Sequence, residues 1–116
     1  MTKVRITVGG DIEKEAWRRF VQAWRKAARG KAVRERHLAF ESWAALSRVL
    51  TTKRLELLHH VRHHEVPSVR ALAKAVDRDY SNVHADVRAL TDAGLLELDD
   101  DGVRADYDAI ETRVAI

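Results

Sequence analysis

Ser68–Gly102 reads SVRALAKAVDRDYSNVHADVRALTDAGLLELDDDG, and its change of apolar period along the way decides the fold. Val69, Leu72, Ala73 and Val76 fall on one face of a first helix, with Ser68 as its N-cap just after Pro67, the chain's one proline. A few polar residues later, Asp79 can cap a second helix in which Val83, Val87 and Leu90 share a stripe. Gly94 stops that helix at C′, and Leu95, Leu96 and Leu98 begin an extended run. Asp101-Gly102 is a two-residue hairpin signal, with Val103–Asp106 as the returning strand.

A helix, a tight turn, a second helix and a hairpin together make a winged helix–turn–helix. At 100° per residue, Ser81, Ala85 and Arg88 point nearly opposite the Val83 stripe, and Asn82 and His84 lie on its shoulders. Such a face suits a DNA major groove: small at Ser81 and Ala85, able to bond an adenine edge through Asn82 and a guanine or phosphate through Arg88. Ser81, Asn82, His84, Ala85 and Arg88 are therefore the base-facing candidates, with His84 nearer the backbone. Lys53, Arg54, Arg70, Lys74, Arg78, Tyr80 and Arg104 are the candidates for the DNA backbone. Asp86 sits beside the buried stripe and is expected to pair with Arg70 or Lys74. The hairpin tip, Asp99-Asp100-Asp101-Gly102, would repel phosphate, so the wing should touch DNA only through Arg104.

LTTKRLELL at Leu50–Leu58, SVRALA at Ser68–Ala73, DYSNVHADVRAL at Asp79–Leu90 and Gly94-Leu95-Leu96 carry a family likeness. From Phe40 onward the chain resembles the MarR-like winged-helix transcriptional regulators, and within them a group of small prokaryotic regulators, some encoded as antitoxins beside a toxin. The resemblance implies a repressor that governs its own operon and masks a toxin protein. It also implies double-stranded DNA as ligand. The acidic wing departs from the basic hairpin tip of many winged helices and offers a surface to a basic protein partner instead.

With 116 residues the chain suffices for one core. It has no cysteine, hence no disulfide framework, which fits a reducing cytoplasm. No apolar run approaches the ~20 residues of a membrane span, and no signal-peptide core opens the sequence, so a cytoplasmic protein without membrane contact is expected. The net charge of +3 conceals an asymmetry: residues 1–50 hold 12 Lys and Arg against 5 Asp and Glu, residues 51–116 hold 9 against 13. The basic front half can supply attraction to phosphate.

Val4, Ile6 and Val8 alternate with Lys3, Arg5 and Thr7, as a half-buried strand does. Asp11 caps an amphipathic helix running to about Arg29, whose Trp17, Phe20, Val21 and Trp24 form the expected dimer or partner face. His37–Phe40 is a short strand or extended lead-in. A helix from about Ser42 should turn Trp43, Leu46, Val49 and Leu50 inward, and one capped by Thr51 should bury Leu55, Leu58 and Val61. The closing Thr112–Ile116 is β-prone and expected to pair with the N-terminal strand, in the same or a second subunit. The expected whole is α+β, mostly helical: a strand–helix dimerisation extension over residues 1–40, then a winged helix–turn–helix with a C-terminal strand over 41–116.

Other chemistries find little purchase. His59 and His63, like His60 and His64, have the i, i+4 spacing with which a helix can grip a metal, but no third fixed ligand accompanies them, and histidines also suit a helix C-terminus. Gly9-Gly10-Asp11 lacks the glycine spacing and the Lys-Ser/Thr of a phosphate loop. No nucleophile–base pair or paired carboxylates stand out, so neither an enzyme nor a cofactor is expected. The sequence thus favours a homodimeric, sequence-specific DNA-binding repressor. Two alternatives stay open: a winged helix serving protein interaction without DNA, and a metal-sensing regulator working through the histidines.

Overall fold

The structure, a computed structural model, describes residues 2–9 and 35–116. These hold five strands and four helices: β1 (Lys3–Val8), β2 (Glu35–Phe40), α1 (Trp43–Val49), α2 (Thr52–His63), α3 (Val69–Ala75), α4 (Tyr80–Asp92), β3 (Glu97–Asp99), β4 (Gly102–Arg104) and β5 (Ala109–Val114). The class is α+β. No described helix is long and apolar enough to cross a membrane. The chain divides into two compact units, Met1–Leu46 with Tyr107–Ile116, and Ser47–Asp106. The C-terminal strand therefore groups with the N-terminal residues.

In the first unit, β1 is the central strand of a parallel sheet ordered β2-β1-β5. Its alternation is read out as expected: Val4, Ile6 and Val8 are each 1% exposed. On the opposite face, Lys3 Nζ and Arg5 Nε lie 3.4 and 3.7 Å from the Glu111 carboxylate of β5. The last strand pairs with the first within one chain. Trp43, at the first position of α1, is 59% exposed rather than inward; the buried residue of this two-turn helix is Leu46.

In the second unit, three side chains begin three helices in the same way, each accepting a backbone N–H three residues on: Thr51 from Arg54, Ser68 from Ala71, and Asp79 from Asn82. Both α3 and α4 end in the double hydrogen bond that closes a helix onto a left-handed residue. At α4 that residue is Gly94 (φ 85°), with Leu95 N–H returning to Leu90 O at 2.8 Å. At α3 it is Asp77 (φ 54°), with Arg78 N–H returning to Ala73 O at 3.0 Å. Leu72, Val83, Leu90 and Leu95 are fully buried and form the centre of this unit's core.

Two expectations shift here. Leu55 is 47% exposed, and Leu57 is buried in its place. The inward row of α2 is Arg54, Leu57, Leu58 and Val61, spaced i, i+3, i+4, i+7, so a guanidinium occupies the position given to a leucine. The hairpin turn also falls one residue early. Asp99 faces Gly102 in the β3–β4 register, leaving Asp100-Asp101 as the loop. Gly102 is instead a strand residue at φ 126°, where an added Cβ would collide with the Val66 carbonyl oxygen. Its glycine answers a close backbone crossing rather than the turn.

Candidate functional site

The outer face of α4 is presented as its periodicity requires. Ser81, Asn82, His84, Ala85 and Arg88 are exposed, while Val83, Val87 and Leu90 on the opposite side are at most 1% exposed. Asp79 holds the helix N-terminus, and Gly94 ends it. At the N-terminal turn, the Arg70 guanidinium lies 4.6 Å from the Tyr80 ring centre, and the Tyr80 and His84 rings are 5.8 Å apart. This stack sets one cation from α3 beside the first turn of α4. Arg88, Lys53 and Lys74 have no ion-pair partner among the described residues. A shallow cavity of about 180 Å³ borders the same face, lined by Val69, His84, Val87, Arg88, Thr91, Asp92 and Leu98.

Three of the proposed DNA-backbone residues are committed elsewhere. Asp86, expected to pair with Arg70 or Lys74, instead accepts from Arg54 Nε at 3.0 Å and from Arg78 Nη2 at 2.8 Å. Arg54 also donates to the carbonyls of Arg48 and Val49 at 2.9 and 3.0 Å. One guanidinium therefore ties the end of α1 to α4, and Asp86 clasps α2 and the α3–α4 turn together. These side chains are only 16–22% exposed, because Arg54 stands on the inward row of α2 and Asp86 beside the buried stripe of α4. The spacing of Arg54 to Leu57 and Val61 is the signal in the sequence that marks it as inward.

Arg104, the one base of the hairpin, is likewise occupied. It lies 3.2 Å from Glu97, 2.7 Å from Asp99 and 3.8 Å from Asp106. Hydrogen bonds to Glu97 and then Asp99 push its pKa above the usual arginine value. Asp99 in turn is held below the usual carboxylate range, chiefly by the Asp101 backbone N–H. A guanidinium so enclosed presents acid rather than base to an approaching phosphate.

The histidines stack in pairs: His60 on His64 with centres 4.1 Å apart and planes at 10°, His59 against His63 at 4.6 Å. His64 Nδ1 is 2.9 Å from the His60 carbonyl oxygen. Burial, then the neighbouring His64 and His59, lowers the His60 pKa. No group of three or more metal-capable side chains occurs among the described residues. Trp17, Phe20, Val21 and Trp24 lie outside the described residues.

The HVO_A0114 family matches residues 49–112, more than half of the chain, from the end of α1 into β5. The chain belongs to the HVO_A0114 family. No curated protein and no solved structure matches it. The HVO_A0114 match includes all of α4 and the Arg54–Asp86–Arg78 clasp, so both the presented face and what holds it lie within the family's extent.

Proposed function

We propose that this chain is a sequence-specific DNA-binding regulator of transcription. On this reading α2, α3 and α4 with the β3–β4 hairpin are a winged helix–turn–helix, and α4 is its reader. The supporting observation is the α4 face itself: a row of small and polar side chains, Ser81, Asn82, Ala85 and Arg88, exposed opposite a stripe at most 1% exposed. Arg88 and Asn82 would read base edges, while Lys53, Lys74 and the Tyr80-backed Arg70 would meet phosphates. As a homodimer, the protein would place two such helices in successive major grooves ~34 Å apart on a pseudo-palindromic operator. It would repress by occupancy, and the family resemblance in its sequence extends this to an antitoxin that also masks a toxin.

Fluorescence anisotropy with the DNA upstream of its own reading frame, against a scrambled duplex, tests the proposal. Selective binding that weakens steeply with salt is the expected result; equal affinity for both duplexes would defeat it. The acidic hairpin, with Arg104 enclosed by carboxylates, favours a second reading as a module that docks a basic protein. Absence of any DNA binding at low salt would turn the balance towards that module.

A further inference from the structure

β5 is an edge strand, and its backbone parity defines what can pair with it. Ala115 N–H donates to Val8 O at 2.8 Å, so the odd-numbered residues of β5 turn their backbone groups in towards β1. In a parallel ladder the alternate residues then direct both N–H and C=O outward. Those are Ile110, Thr112 and Val114, and β5 has no second strand partner among the described residues. Edges left open are normally blunted by a proline, a bulge or like charges, and β5 has none of these. Glu111, Thr112, Arg113 and Val114 are all exposed.

The order of charges on this strand is self-complementary. If two copies of β5 run antiparallel about a two-fold axis through Thr112, Glu111 of each lies directly opposite the partner subunit's Arg113. This is a non-hydrogen-bonded pair, where Cα atoms approach to about 4.5 Å. In the same register Thr112 faces itself, Ile110 faces the partner's Val114, and every outward N–H meets an outward carbonyl. A two-residue slip either way sets Glu111 against Glu111 or Arg113 against Arg113. A one-residue slip sets outward groups against inward ones and breaks the ladder.

We propose that β5 is a self-association edge, pairing antiparallel with β5 of a second copy in the register centred on Thr112. The two three-stranded sheets then become one continuous sheet. Val114, 43% exposed, would gain Ile110 of the other copy beside it. One strand pair is smaller than the ~1,200 Å² of a standard stable interface, so association should depend on concentration. The proposal deepens the homodimer named above without resting on DNA binding. Its test contains no DNA, so each can fail separately.

Sedimentation velocity of the full chain over a concentration series is the measurement. The wild type should associate. Thr112→Pro, which removes an N–H directed away from β1, should be monomeric with an unchanged melting curve. Arg113→Glu and Glu111→Arg should each weaken association by about tenfold or more. Glu111→Arg also sets a base beside Lys3 and Arg5, so the deciding sample is the equimolar mixture. There one copy is acidic at positions 111 and 113 and the other basic, and association should return. A wild type monomeric throughout, association indifferent to all three substitutions, or a mixture no tighter than its components would each overturn the proposal.

Discussion

Asp86 and Arg88 stand two residues apart on α4 and face opposite ways, Arg88 exposed and Asp86 paired. Asp86 is turned to the protein, where it neutralises Arg54 and Arg78, both about one-fifth exposed. Asp86→Ala leaves two half-buried guanidiniums without their carboxylate, and urea unfolding should report a loss of about 2–4 kcal/mol. Arg88→Ala should leave unfolding within about 0.5 kcal/mol of the parent, yet weaken operator binding by ~1–3 kcal/mol if the side chain reads a base. An equal loss on random DNA would reduce Arg88 to a phosphate contact. Tyr107 gives a pH signature. Its phenol is raised to about 12, first because burial disfavours the phenolate, with Arg36 opposing. A raised folded-state pKa means stability that is intact below the unfolded value near 10 and lost as pH climbs towards 12. Thermal melts between pH 9 and 12 should show this decline, and Tyr107→Phe should diminish it.

At the scale of elements, local chemistry was legible and tertiary chemistry was not. The caps at Thr51, Ser68 and Asp79, and the stop at Gly94, each involve neighbours within a few residues, so the sequence carries them openly. β-propensity marks a last strand over Thr112–Ile116 but leaves open whether it joins β1 of its own chain or of a second copy, and the strand runs earlier, over Ala109–Val114. The row on α4 follows from its 3.6-residue period. The partners of Asp86 depend on how α2 meets α4, which no window along the chain displays. Hydrophobicity alone turns Leu55 inward and Arg54 outward, and the Asp86 carboxylate reverses that order. The Asp-Gly signal misplaced its turn because Gly102 also meets a carbonyl from a distant loop. The end of α3 offers a prediction of its own. Asp77 holds a left-handed conformation that glycine adopts without strain, so Asp77→Gly should raise stability by about 0.5–1 kcal/mol in urea melts.

Over the whole molecule, charge is segregated: residues 1–50 hold the basic excess and residues 51–116 the acidic one. If α4 reads DNA, the Asp99–Asp101 tip opposes it electrostatically. The Asp100→Asn/Asp101→Asn double variant should then tighten DNA binding by about threefold to tenfold at low salt. That gain should fade towards ~1 M salt, where screening length falls to ~3 Å; a gain independent of salt would point to another cause. The sheet topology has a consequence for synthesis. β1 is made long before one of its two neighbours, which follows Asp108, itself 106 positions after Thr2. Residues 47–106 can complete their helices while β1 waits, with one flank unfilled, for residues 109–114 to be made. Until then the flank of β1 that receives β5 is an unpaired strand edge, and a pause in synthesis between the two strands would prolong its exposure to other chains.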